Sequence, residues 1–399
     1  MTPEQREAVR ALRWPGLIIL ALSLFVWLVD WRHARIPSIE LAKLGDQVNV
    51  DSGYLAAVLC YCMLPARRLE RWLLLGPSVA VETVLWIHRP TDWNLEHHVK
   101  CIGWGVGVFA LVGLAWRLVT ARGDERRWSA ALLTLAGVGF FFPGVSKYFH
   151  ERVVEYTKYT YDGHAYTIDG TFGFEPAPAL TRIIKAHWWL DFPTYYLYQE
   201  LSLVMAAVVL VGLRYPQRCY PNIMLTLILM GLGAYLSYLV TPMVGVNLWV
   251  GDKWPNGPLP APGDLKPWAE PDGWWRNCFP SLHMGWTLAL FYSIRRVSPW
   301  VKGIMLGALG VMAMAIINPG CHYCIDPVGS FPYVACFLAL TATRAPRVLR
   351  VGVFAAGFSL FSLVTYYVRW APLTLFHHPT YLAIMALSVI ATSIFLESR

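Results

Sequence analysis

Two histidines and one aspartate have the residue types needed for nucleophilic and acid–base chemistry. His283 follows Pro280-Ser281 where a long apolar run begins. His322 comes 39 residues later, in "INPGCHYCIDPVGS", which also contains Asp326. The i,i+4 spacing places His322 and Asp326 on one face of a helical turn. A carboxylate bound to one ring nitrogen fixes the histidine tautomer and makes the other nitrogen more nucleophilic. The spacing therefore predicts a nucleophilic His322, with His283 as the proton donor to a leaving oxygen.

Each of these residues also has a purely structural explanation. Pro280 and Ser281 make a normal helix start, with Ser281 at the N-cap, and a single interfacial histidine requires no function. Pro327 disfavours a helical conformation at Asp326, so a bend is expected there. Three ionisable residues at membrane depth, all on one side, are costly to place and favour a functional site.

The elements that must position these residues are membrane helices. The chain has 399 residues, of which 56% are hydrophobic and 15% charged, whereas a soluble domain has about 45–50% and about 25%. A run of roughly 20 apolar residues crosses the hydrocarbon core. We predict an all-α polytopic membrane protein with about twelve transmembrane helices. The predicted spans are 15–31, 51–65, 71–88, 100–119, 128–149, 192–213, 221–243, 281–297, 300–318, 327–343, 351–368 and 380–396.

The chain has a net charge of +8. The positions of its basic residues predict the orientation of the protein in the membrane, and we do not take the charge as a sign of nucleic-acid binding. The short connectors between spans carry clusters of arginine that all fall on one side, which is cytoplasmic by the positive-inside rule. Both termini then lie inside, and the long loops at 150–191 and 244–280 lie outside. We therefore expect a multi-pass protein of a bacterial inner membrane, with its active site facing the periplasm.

The eight cysteines form no clear framework. Cys321 and Cys324 have CxxC spacing, but a zinc site needs further ligands nearby, so no metal and no cofactor is predicted. A disulfide between Cys278 and Cys321 would require an oxidising outer compartment, and it is not part of the prediction.

The stretches "FPSLHMGW" and "HYCIDPVGS" resemble the second and third motifs of the type 2 phosphatidic acid phosphatase superfamily. The Pro-Ser-Leu-His form is similar to that of inositol phosphorylceramide synthases and their bacterial relatives. The resemblance is strongest over roughly 235–335. It implies a six-span catalytic core at 128–343, preceded by about four spans at 1–127 and followed by two at 344–399.

The resemblance also implies a role for each matching residue. His322 is similar to the nucleophile that forms a phosphohistidine, and Asp326 to the carboxylate that orients it. His283 resembles the acid that protonates the leaving group and then serves as base for the acceptor. Ser281 matches the motif serine that helps to bind phosphate oxygens. Members of the family work without a metal ion.

Two features of the phosphatases are missing. Their first motif is a lysine separated by six residues from Arg-Pro, whereas "ETVLWIHRP" has Glu82 there and lies almost 200 residues before the second motif. Their Ser-Arg pair before the third motif is replaced by Ala315-Ile316. The synthase branch has a similarly weak first motif, which favours a transferase. A cation must still neutralise the phosphate; Arg276 and Lys147 are the candidates, and Lys253 is a third.

The leading hypothesis is a phosphotransferase that moves a phospho-headgroup from a lipid donor to a hydroxyl acceptor at the outer leaflet. The alternative is a lipid-phosphate or polyprenyl-pyrophosphate phosphatase, because the chemistry is the same up to the phosphohistidine. A twelve-span transporter is the third hypothesis, although the chain has no matching halves. The expected partners are a lipid substrate and the bilayer, with no nucleic acid.

Overall fold

The computed structural model describes residues 1–32, 48–64, 68–87, 104–171, 175–219, 222–256 and 275–370, with short pieces at 386–387, 389–390 and 392–393. These residues are mostly helical, and no strand forms among them. In chain order the α-helices are α1 Pro3–Ala11, α2 Arg13–Arg32, α3 Val48–Cys62, α4 Arg68–Ile87, α5 Trp104–Thr120, α6 Gly123–Tyr156, α7 Asp162–Gly170, α8 Pro176–Ala186, α9 Trp188–Gln199, α10 Leu201–Arg214, α11 Ile223–Val240, α12 Val246–Val250, α13 Leu282–Ile294, α14 Pro299–Ala315, α15 Ile325–Thr341 and α16 Arg347–Trp370.

Helix starts follow local sequence signals. Ser281 and Ser298 cap α13 and α14, and each side chain accepts a hydrogen bond from the backbone N–H three residues later. Pro299 occupies the first position of α14, where its missing N–H is not needed. Serine at the N-cap satisfies one of the backbone donors that a helix start leaves open.

Four helical segments of the described chain are long and apolar enough to cross a membrane: Pro3–Val29, Gly123–Tyr156, Ile223–Val240 and Arg347–Trp370. Several other predicted spans form shorter helices. Helix α13, for example, has 13 residues, or about 20 Å at 1.5 Å per residue, against a core of about 30 Å. The figure of about twelve spans therefore stays a prediction, and the last predicted span falls largely outside the described residues.

Two segments differ from the expected pattern. The predicted single span at 192–213 consists of α9 and α10, which are bent by 68° relative to each other, with the charged residue Glu200 between them. The predicted outer loop at 150–191 is mostly helical, because α6 extends to Tyr156 and α7 and α8 follow it. Helix α7 is buried along most of its length, so this part of the predicted loop belongs to the core.

The chain divides into two compact units. The first contains Met1–Lys147 and Ser202–Met224, and the second contains Tyr148–Leu201 and Leu225–Arg399. The predicted domain boundaries after residues 127 and 343 stay a prediction. In the first unit, α5 packs against α3 and α4, and Arg117 pairs with Glu70 and Glu125.

The second unit has an apolar core that includes residues beside both histidine motifs. Phe279 precedes Ser281 in the chain and Tyr323 follows His322, and both side chains are fully buried. They pack with residues of α7, α12 and α16, among others: Ala165, Tyr166, Ile168, Met243, Val246, Cys278, Ile325, Val364 and Val368. Tight packing of this kind restricts the side chains that it surrounds.

Candidate active site

His283 lies in the first turn of α13, as the sequence predicts. Its ring is stacked on Tyr198 of α9, with the ring centroids 3.9 Å apart and the planes 14° from parallel. The Tyr198 hydroxyl lies close enough to the Cys321 thiol to interact with it, and Cys321 directly precedes His322 in the chain. Tyr198 therefore connects the two histidine motifs.

Helix α9 is itself held to the segment that leads to His322. The side-chain amide of Asn318 donates to Asp191 Oδ1 at 2.8 Å and to Thr194 Oγ1 at 3.1 Å. Asn318 and Thr194 are buried, and hydrogen bonds shielded from water are costly to break. These contacts fix the helix that presents Tyr198 to His283.

His322 and Asp326 form a buried pair at the start of α15. His322 Nδ1 lies 3.0 Å from Asp326 Oδ2, and the same oxygen accepts the backbone N–H of Tyr323 at 2.9 Å. His322 precedes the helix, so the carboxylate reaches back to it, and the two side chains do not share a helical face. Pro327 occupies the third helical position, where a proline is tolerated. The change of backbone direction expected at Asp326 occurs where the helix begins.

The two motifs meet through side chains and backbone. Ser281 Oγ lies 3.4 Å from His322 Nε2. Ser330 Oγ lies 2.9 Å from the Ser281 carbonyl oxygen and 3.0 Å from that of Asp326. The imidazoles of His283 and His322 are close enough to interact electrostatically. Because the carboxylate engages Nδ1, the ring proton belongs on that nitrogen, and the lone pair of Nε2 faces Ser281.

Two of the candidate phosphate-binding cations, Arg276 and Lys147, differ in burial. Arg276 is buried, and its Nη1 donates to Thr157 Oγ1 at 2.8 Å. Lys147 is exposed and belongs to the first unit, whereas His322 belongs to the second. A role for either residue in binding phosphate stays a prediction.

Asp162, which the sequence reasoning missed, fixes the residue next to His322. It is fully buried, and it accepts hydrogen bonds from the backbone N–H groups of Val244 and Gly245, at 3.1 and 2.9 Å, and from the Tyr323 hydroxyl at 2.9 Å. Burial raises the pKa of Asp162 to about 6, while these hydrogen bonds lower it. Gly245 has a φ of 103°, and a Cβ there would lie 2.6 Å from the Cys321 carbonyl oxygen, so only glycine fits this close approach.

Asp169 is a second buried carboxyl on α7. Its Oδ2 accepts the backbone N–H of Cys324 at 2.8 Å, just before α15. Burial raises the pKa of Asp169 to about 8, and the negative charge of Asp326 contributes to the rise. Asp162 and Asp169 are seven residues apart, which puts them on one helix face. This seven-residue spacing could have indicated a helix with two carboxyls on one face, but the polar composition of the segment led to the prediction of an outer loop.

The raised pKa of Asp169 predicts a pH-dependent stability. A carboxyl whose pKa is about 8 in the folded state and 3.8 when unfolded contributes stability that is present below about pH 4 and is lost as the pH rises to about 8. In Asp169→Asn this loss should disappear. The measurement is the unfolding temperature of both proteins from pH 5 to 9; it should fall more steeply in the wild type.

The matched control is Asp124→Asn, since Asp124 is in the first unit and its pKa is lowered by the chain's amino group. This variant should follow the wild-type slope. Parallel curves for the wild type and Asp169→Asn would show that Asp169 does not titrate in this range.

Cys278 adds a thiol to the site. Cys278, His322 and Asp326 each offer one possible metal-binding atom, and these three atoms lie within 4.8 Å of one another. Cysteine, histidine and aspartate are all residue types that bind zinc. The Cys278 thiol donates to the Cys321 carbonyl oxygen at 2.8 Å, and burial raises its pKa, whereas zinc binds the thiolate. The three groups are thus engaged in hydrogen bonds. Cys278 and Cys321 are free cysteines.

Comparisons with known proteins gave one match. Comparison with curated proteins and with solved structures gave no significant match. A family model does match, and its range begins within α7 and ends in α15. Residues 164–340, which include Ser281, His283, His322 and Asp326, match the model of the PAP2 superfamily.

Proposed function

We propose that the chain is an integral membrane phosphotransferase, which moves a phospho-headgroup from a lipid donor to a hydroxyl acceptor through a phosphohistidine on His322. The observation that carries the proposal is the buried His322, with Nδ1 on Asp326 and Nε2 facing Ser281. The match to the PAP2 superfamily suggests phosphatase or phosphotransferase activity, and the apolar helices fit a membrane protein.

In the first half of the reaction, the lone pair of His322 Nε2 attacks the donor phosphorus. An N–P bond forms, and the bond from phosphorus to the leaving oxygen breaks. The leaving oxygen takes a proton from His283, and Asp326 stabilises the positive charge on the His322 ring. Ser281 Oγ, beside Nε2, donates its hydrogen bond to a phosphate oxygen as charge develops there.

In the second half, His283 is the base. It takes the proton of the acceptor hydroxyl while the acceptor oxygen attacks phosphorus, and the N–P bond breaks. His322 regains its lone pair and His283 its proton, so the cycle closes without a redox partner. Arg276 and Lys147 are our proposed cations for the phosphate charge, with Arg276 the better placed because it is buried in the same unit as His322.

The finer assignment is to the branch similar to inositol phosphorylceramide synthases. The weak first motif, in which Glu82 replaces the lysine of the phosphatases, supports a transferase over a phosphatase. Full-length protein would be incubated with a phospholipid labelled in its headgroup phosphate, with and without candidate alcohols. A new labelled lipid supports the transferase, released inorganic phosphate supports the phosphatase, and neither product above a His322→Ala control contradicts both.

We further propose that the site opens to the outer leaflet of a bacterial inner membrane, with both termini cytoplasmic. The basic connectors support this orientation. A transporter is the weaker alternative, because His283, His322 and Asp326 cluster at helix starts rather than in the middle of helices. Lipid chemistry by protein in detergent, lost in His322→Ala, would argue against transport alone.

Treatment with EDTA is expected to leave the activity unchanged. The nucleophile is a histidine nitrogen, and a metal at this position would have to displace the hydrogen bonds of His322 to Asp326 and of Cys278 to Cys321. The measurement is the initial rate before and after chelation and dialysis. Activity that is lost to chelation and restored by added magnesium or zinc would contradict the prediction.

A further inference from the structure

The first unit contains a groove of about 810 Å³ between the segment formed by α1 and α2 and helix α6. On the α1–α2 side it is lined by Arg6, Arg10 and Arg13, followed by Leu17 and Leu20. These positions recur every three or four residues, so they form one stripe along the helical segment. The stripe changes from basic to apolar along its length.

Helix α6 lines the other side with the same gradient. Arg127 lies at the basic end, and Thr134, Gly137 and Phe141 follow at one-turn or two-turn intervals. The walls meet closely at Gly16, where a Cβ would lie 2.5 Å from Thr134 Cγ2. At Gly137 a Cβ would meet nothing within 4 Å, so the groove is open there.

The charge at the basic end is one-sided. Four of the described lining residues are arginines and none is acidic, and all four arginines are exposed. Asp124, just outside the groove, lies 3.5 Å from Arg127 and offsets part of this charge. An anionic group at this end would be attracted, whereas a zwitterionic group would gain much less.

The length of the apolar part matches one leaflet. From Ala130 to Phe141, both on the lining, eleven residues rise about 16 Å, and half of a hydrocarbon core is about 15 Å. We propose that this groove binds one phospholipid with an anionic headgroup, with its phosphate among the four arginines and an acyl chain along Leu17, Gly137 and Phe141. The inference concerns the first unit and does not depend on the proposed catalytic function.

The test uses full-length protein that has been depleted of lipid in detergent. It is offered equal amounts of phosphatidylglycerol and phosphatidylcholine with the same acyl chains, and the lipid retained is identified by mass spectrometry of the intact complex. Phosphatidylglycerol should be retained in preference. Equal retention of the two lipids, or binding of an adventitious lipid only, without preference, would overturn the proposal.

Two pairs of variants isolate the headgroup and the acyl chain. Arg10→Gln/Arg13→Gln should lower the preference for phosphatidylglycerol about 30-fold, whereas Arg122→Gln/Arg126→Gln removes the same charge from exposed positions outside the groove and should not. Gly137→Leu should fill the groove without a clash and prevent retention. Gly144→Leu, on the same helix with open space around it, should retain the lipid.

A competition arm distinguishes a lipid from a free anion. Inorganic phosphate at millimolar concentration should not displace bound phosphatidylglycerol, because the acyl chain contributes to binding. Full displacement by phosphate, equal effects of the two arginine pairs, or undiminished retention in Gly137→Leu would each contradict a lipid site in this groove.

Discussion

A His322→Ala variant is expected to lose both donor cleavage and any phosphoprotein that can be trapped in the wild type. In the proposed reaction the N–P bond forms on Nε2 of this ring, and removal of a covalent nucleophile typically costs roughly 10⁴–10⁶-fold in rate. The loss should be the same with a natural lipid donor and with an activated donor that carries a nitrophenyl leaving group. The measurements are the initial rate with each donor and the ³²P retained on the protein after an acid-free quench.

Two further variants separate chemistry from folding. Asp326→Asn keeps the shape of the side chain but removes the charge that Nδ1 contacts, so it should give a large loss with either donor. His187→Ala is the matched control, because His187 is exposed and its ring stacks on Trp189; it should keep full activity. If a phosphoprotein could still be trapped in His322→Ala, while His187→Ala kept full activity, His322 would not be the nucleophile.

A His283→Ala variant is expected to be nearly inactive with natural lipid donors and to recover with the activated donor. The alkoxide leaving group of a lipid needs a proton, and general acid catalysis is worth about 10²–10⁴-fold. A nitrophenolate leaves without that proton, so His283→Ala should show a burst of nitrophenol followed by slow turnover. The measurement is a rapid-mixing time course with both donors.

The contrast between the two alanine variants assigns the roles. A burst in His322→Ala and none in His283→Ala would exchange nucleophile and acid. Full activity with the lipid donor in either variant would refute the mechanism, and the stretch around His283 would then be an ordinary interfacial helix start. Thermal unfolding of both variants shows whether the loss of the stacking on Tyr198 has altered the fold.

The location of both motifs could be predicted from the sequence because each marks a helix start. Ser281 caps α13 in the expected manner, and the proline after Asp326 falls in the first turn of α15. The spacing of His322 and Asp326 correctly suggested contact but gave the wrong reason, since the carboxylate reaches back to a residue before the helix. Spacing alone does not distinguish these two geometries.

The supporting residues could not be predicted in the same way. Asp162 lies 161 residues before Tyr323, and Asp169 lies 155 residues before Cys324; local periodicity carries no information over that distance. Tyr198 was hidden in a segment that reads as one apolar span, whereas the chain breaks at Glu200. Buried carboxylates in an apparently polar loop are recognised only when their distant donors are known.

The long separation between α7 and α15 has a consequence for synthesis. At about 5–20 residues per second, the 155 residues between Asp169 and Cys324 take roughly 8–30 s to translate. During that time the donors from Tyr323 and Cys324 do not yet exist, and a nine-residue helix is marginal by itself in water. Asp169 therefore has no partner until this part of the chain has been made, and the docking of α7 is one of the last steps in the folding of the second unit.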